Sequence, residues 1–133
     1  MTDNPQNSSP LRVLIVDDDE SITKTFGWMI EALGHDAKVA QDGPVALAIA
    51  SLYLPDVVMV DISLPVMDGY EICRRMRTMP ELAKCVFIAQ TGWSQPEHVE
   101  RSRQAGFDHH WVKPVQIENM EQLFSSLSRK AAA

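Results

Sequence analysis

Cysteine is scarce in this 133-residue chain. Its two residues, Cys73 and Cys85, are too few for a disulfide framework and both sit in apolar stretches. They read as small core residues in a reducing compartment. Long apolar runs are missing as well: no stretch reaches about 18 such residues, so nothing is expected to span a membrane. Basic charge is not in surplus either. Twelve Lys+Arg against 18 Asp+Glu give a formal net charge of -6, which argues against a nucleic-acid-binding face. The polar opening, MTDNPQNSSP, lacks an apolar signal segment, and a cytoplasmic location is expected. What is present is ordinary for one globular domain: 45% hydrophobic and 23% charged residues, in a chain long enough to bury a core without staples.

The pattern along the chain alternates regularly. Residues 1–9 are rich in Asn, Ser and Pro and read as a flexible tail. Leu11 to Val16 is a short β-branched run, a buried strand. Ile22, Phe26, Met29, Ile30 and Leu33 follow at helical spacing, and Gly34 supplies the stop. Asp36 to Ala40 alternates, with Ala37 and Val39 on one side, as suits a half-exposed edge strand. A helix is predicted over Pro44–Leu54, a continuous apolar strand over Asp56–Val60, and a third helix from Asp68 to Arg77. Val86 to Ala89 is the next buried strand. Ser94-Gln95-Pro96-Glu97 has capping-box spacing with proline in the first turn, so a fourth helix is expected to start there and end before Gly106. Its apolar content is thin, with Val99 the only strongly apolar residue, so it should be weakly anchored. Phe107 to Val112 is a fifth strand. Ile117, Met120, Leu123, Phe124 and Leu127 stripe a last helix. Strands alternating with helices mean a parallel sheet covered on both faces.

In such a sheet, ligands bind outside the carboxyl ends of the strands. The strands deliver Asp17-Asp18-Asp19, Asp61, Gln90-Thr91-Gly92 and Lys113-Pro114 to those ends. Carboxylates, a hydroxyl and an ammonium are therefore expected to converge on one crevice. Taken singly, each has a plainer explanation: an Asp triplet also suits a helix cap, Asp61 and Thr91 suit turns, and Lys113 suits a solvated surface.

Taken together and in order, Val16-Asp17-Asp18, Asp61 with Leu64-Pro65 and Met67-Asp68-Gly69, Thr91, and Lys113-Pro114 resemble the receiver domain of two-component response regulators. The resemblance covers residues 10–130, leaving 1–9 and 131–133 as tails. It implies a flavodoxin-like α/β fold: a doubly wound (βα)5 with a five-stranded parallel sheet in the order 2-1-3-4-5. It also implies a cis Lys113-Pro114 bond that aims the lysine.

The chemistry implied by the resemblance is that of a phosphoacceptor. Crowded carboxylates repel unless a cation neutralises them, and oxygen ligands select a hard ion such as Mg²⁺, with Mn²⁺ also suitable. Asp18 and Asp61 would be direct ligands, Asp17 would act through water or by orientation, and the backbone carbonyl of Ser63 would complete the set. Asp61 would also be the nucleophile that forms an aspartyl phosphate, with Thr91 and Lys113 contacting the phosphoryl oxygens. The implied donor is a sensor histidine kinase or a histidine phosphotransfer protein. The implied output face is the fourth helix, fifth strand and fifth helix, meeting an unknown downstream protein. A monomer is expected, with neither nucleic acid nor membrane as partner, and no enzymatic role beyond its own phosphorylation and slow dephosphorylation.

Two departures from the family's pattern stand out. His110 occupies the position, three before the lysine, where Tyr or Phe is usual; it reads either as a half-exposed ring or as a weaker, pH-sensitive switch. Trp93 reads either as a shield over the acyl phosphate or as a loop residue packing on a helix or partner. Two other functions compete. A Mg²⁺-dependent phosphatase of haloacid-dehalogenase type normally carries a second acid where Ser63 stands. A non-phosphorylated interaction module normally lacks an acid or the lysine.

Overall fold

The computed structural model describes residues 10–92 and 96–132, with side chains for 10–92 and 96–127. The chain runs β1 (Arg12–Val16), α1 (Glu20–Ala32), β2 (Asp36–Ala40), α2 (Gly43–Tyr53), β3 (Val57–Asp61) and α3 (Gly69–Arg77). A 3₁₀ turn (Pro80–Leu82), β4 (Val86–Thr91), α4 (Pro96–Ala105), β5 (His109–Val112) and α5 (Ile117–Ala132) follow. The five strands are parallel in the order β2-β1-β3-β4-β5, the flavodoxin-like order expected.

Strand periodicity splits the core in two. Val13, Ile15, Val57, Met59 and Ile88 point to one face, where Phe26 and Ile30 of α1 and Met120 and Phe124 of α5 cover them. Leu14, Val16, Val58, Val60, Phe87 and Ala89 point to the other, under α2, α3 and α4. Both faces are covered, so β1 and β3 are continuous apolar runs rather than alternating ones.

Helix starts follow local chemistry. Asp19 caps α1, its carboxylate accepting from the N–H of Ser21 at 3.0 Å and the Ser21 hydroxyl at 2.7 Å. Asp42 caps α2 through Val45 N–H, and Asp68 caps α3 through Glu71 N–H. Gly34, at φ 91°, ends α1 in the left-handed region.

Three sequence expectations change on inspection. Val39 is 43% exposed while Ala40 is buried, because β2 is an edge strand that only its C-terminal end tucks under α2. Phe107 and Asp108 precede β5 instead of opening it. Phe107 drops into the core, and the Asp108 carboxylate accepts from Phe87 N–H and Arg77. In α4 the buried residues are Ser102 and Ala105, with Val99 exposed. Small residues let α4 lie close to the sheet, and the Ser102 hydroxyl is matched by His110 Nδ1 at 2.8 Å. Cys73 and Cys85 are free and buried; burial pushes both thiols up to about 12.

Candidate functional site: an acidic crevice at the strand ends

The apolar segments of β1 and β3 carry acids to their C-terminal ends, side by side. Val16 is in register with Val60, so Asp17 stands beside Asp61. One oxygen from each of Asp17, Asp18 and Asp61 lies within 4.8 Å of the others. Asp17 and Asp61 are buried, and Asp18 is exposed.

The loop after β3 is bent to keep Asp61 in place. Ser63 N–H donates to Asp61 Oδ1 at 3.1 Å, and Gly69 N–H donates to the Ile62 carbonyl at 3.0 Å. The second bond draws the start of α3 against the end of β3. A Cβ on residue 69 would lie 2.8 Å from both the Asp61 carbonyl oxygen and Ile62 Cα, both backbone atoms that cannot swing aside. This close approach is why glycine stands there.

Lys113 arrives from the far side. Its N–H donates to the Thr91 carbonyl at 2.8 Å, continuing the β4–β5 ladder, and the Lys113-Pro114 peptide is cis. Its ammonium lies 3.2 Å from Asp17 Oδ2 and 3.5 Å from Asp61 Oδ2. Burial pulls the Lys113 ammonium down, but Asp61 and Asp17 outweigh it and hold it above its ordinary value. Burial pushes the Asp17 carboxyl up, against the Asp19 N–H bond; the Asp61 charge adds to the rise and Lys113 opposes it.

Thr91 ends β4, buried, and a Cβ on Gly92 would meet nothing within 4 Å among the described residues. The structure thus brings together Asp17, Asp18, Asp61 and Lys113, with Ser63 and Thr91 on adjoining strand ends. His110 is half-buried one row below Thr91 on the α4 face and bonds Ser102. Trp93 lies outside the described residues. Sequence reasoning did not name Ser102, and it placed Gln90 at the end of the fourth strand beside Thr91 without giving it a role, because neither sits in a motif.

Three carboxylates, two of them facing a lysine, are an oxygen-only donor set suited to a hard divalent cation. Receiver domains typically bind Mg²⁺ through such an acidic pocket. Comparison with known proteins identifies the family that carries such a crevice on a doubly wound sheet. A profile described as "Response regulator receiver domain" matches residues 13–125, and the chain belongs to that family.

A gliding motility regulatory protein of Myxococcus xanthus is 35% identical over 119 residues, covering 89% of this chain and 15% of that protein. A receiver domain protein (CheY-like) from Methanospirillum hungatei superposes with a TM-score of 0.83 at 26% identity, covering 93% of this chain and 98% of that one. The chemotaxis protein CheY4 of Vibrio cholerae gives 0.81 at 29% identity, covering 91% and 98%. The chain spans between 10% and 53% of the length of the first curated relatives it matches. No helix among the described residues is long and apolar enough to cross a membrane.

Proposed function

We propose that the chain is a phosphoacceptor switch of a two-component or phosphorelay pathway. It takes a phosphoryl group from a phosphohistidine of a sensor histidine kinase or a histidine phosphotransfer protein. The observation that carries this is the clustering of Asp17, Asp18 and Asp61 at the strand ends, with the Lys113 ammonium facing Asp17 and Asp61.

An Asp61 oxygen attacks phosphorus, and the P–N bond breaks with its electron pair returning to the imidazole. Lys113 moves from the carboxylates to a phosphoryl oxygen, and the Thr91 hydroxyl serves another. Mg²⁺ (or Mn²⁺), held by Asp17, Asp18, Asp61 and the Ser63 carbonyl, supplies the remaining charge neutralisation when bound. Asp61 is held rigid by β3 behind it and by Ser63 N–H in front, so little reorganisation is needed.

Output runs through His110. Thr91 and His110 share the face of the sheet on which α4 lies, and His110 is bonded to the buried Ser102 of α4. As Thr91 shifts toward the phosphoryl group, His110 follows and releases Ser102. That loosens α4 on the α4-β5-α5 face that meets the downstream protein. The protein works as a cytoplasmic monomer, away from nucleic acid and membrane, through residues 10–130.

Intact-mass measurement after incubation with acetyl phosphate and Mg²⁺ tests the chemistry. One phosphoryl group should be gained by the wild type and not by Asp61→Asn; an unmodified wild type, or a modified Asp61→Asn, ends the proposal. For the output route, Ser102→Ala should raise partner affinity of the unphosphorylated form toward that of the phosphorylated one. Unchanged affinity would remove His110 from the route.

A further inference from the structure

The middle of the site contains a polar side chain that the chemistry above does not use. Gln90, on β4, is 1% exposed, and its Nε2 has no hydrogen-bond partner among the described residues. A buried N–H left unpaired is costly, and its retention in a native fold calls for an explanation. The only other such atom among the described residues is the Tyr70 hydroxyl, on the opposite core beneath Arg101.

Sheet register places the amide. Gln90 pairs with Asp61 on one side and Trp111 on the other, so these side chains leave the sheet on one face, on strands about 4.8 Å apart. Asp17 continues the same row beyond Asp61. Lys113 follows Val112, which pairs with Thr91, so it starts beyond the row of Gln90 and reaches across β4 to Asp61 and Asp17 in that row. Gln90 is therefore the neighbour of Asp61 in that row, on the strand that the lysine spans.

Both Asp61 oxygens are engaged in this state: Oδ1 accepts from Ser63 N–H, and Oδ2 faces the lysine. We infer that Gln90 is a further residue of the phosphoryl site, whose amide N–H takes over the Asp61 oxygen that Lys113 releases when it turns to the phosphoryl group. This rests on the phosphoacceptor reading and deepens it.

The consequence is for loss of the phosphoryl group. Water's oxygen bonds to phosphorus, and the bond from phosphorus to the Asp61 oxygen breaks with its electron pair going to the carboxylate. Water's proton balance leaves dihydrogen phosphate. Negative charge grows on Asp61 during this step, so a donor aimed at that carboxylate is bound more tightly in the transition state than before it. Gln90 accordingly shortens the life of the phosphorylated protein. Full burial keeps the amide from touching the attacking water, so it acts on the leaving carboxylate alone.

Gln90→Met keeps the unbranched shape and removes the donor; Gln90→Leu serves as a second apolar variant. Each is loaded with acetyl phosphate and Mg²⁺, freed of donor, and followed by intact mass. Loss of the phosphoryl group should slow about tenfold, the rate equivalent of one hydrogen bond to a charged group. The carbonyl stretch of the aspartyl phosphate should also move to higher frequency by isotope-edited infrared spectroscopy, a signature that a packing role would not shift. Variants that load normally, decay at the wild-type rate and keep the wild-type frequency overturn the role of Gln90 while the phosphoacceptor reading stands. A wild type that never loads overturns both.

Discussion

Replacing Lys113 by Met removes the one cation among the described residues that faces the buried acids, and the cost can be worked from distances. At 3.2 and 3.5 Å, with an effective dielectric constant of 20, each attraction is about 5 kcal/mol gross. Much of that is offset, because the lysine side chain is 29% exposed and solvent screens the pair. Asp17 regains no water, at 1% exposure, and is left facing Asp61. Removing one partner of such a pair costs about 2–4 kcal/mol, toward the lower end of the range for buried ion pairs. For a chain of this size that lowers the melting temperature by roughly 10 °C. Urea and thermal unfolding at neutral pH without divalent ions read the loss directly. Added Mg²⁺ should then stabilise Lys113→Met more than wild type, because the ion no longer competes with an ammonium for the same oxygens. A variant as stable as wild type without Mg²⁺, or one that gains less from it, would refute the counter-ion role.

Three further perturbations test the scaffold. His35 Nδ1 accepts the Leu11 N–H at 3.0 Å, and burial holds its pKa below the ordinary value. The unfolded chain therefore takes up a proton first as pH falls through about 6.5, and stability declines by at most about 1.4 kcal/mol per pH unit until the folded ring protonates. His35→Gln should flatten that part of the pH profile in urea unfolding, and an unaltered slope would discard the linkage. Gly27 lies inside α1, and a Cβ there meets nothing within 4 Å, so Gly27→Ala should stabilise by about 0.5–1 kcal/mol in chemical denaturation. A loss of stability would mean that the open space is not available. Gly69→Ala drives a methyl into the backbone of Asp61 and Ile62, and should cost about 1–3 kcal/mol and slow phosphorylation as Asp61 shifts. Wild-type rates with acetyl phosphate would show that the loop yields freely.

Much of the site was legible because the sheet enforces it. A continuous apolar run that stops on an acid, as Val57 to Asp61 does, is a buried strand ending at a crevice, and four polar strand ends in order, Asp17, Asp61, Thr91 and Lys113, leave little freedom. Asp19 as a helix cap was equally readable, since its spacing to Ser21 and Ile22 is local. The features that escaped depend on contacts between distant segments. Nothing local says that Ser102 rather than Val99 turns inward; that follows from His110 offering a nitrogen on the facing strand. Asp108 left the fifth strand because Arg77, far back in α3, claims it together with the Gly106 and Cys85 carbonyls. Gln90 looks like an interruption in an apolar strand until register sets it next to Asp61.

The two thiols have a practical consequence. Cys73 sits on α3 and Cys85 just before β4, both sealed in the core beneath α3 and held protonated. A soluble alkylating reagent can reach them only during excursions that lift this layer. Labelling kinetics, read with and without phosphodonor, would therefore time the breathing of that half of the molecule with no introduced probe.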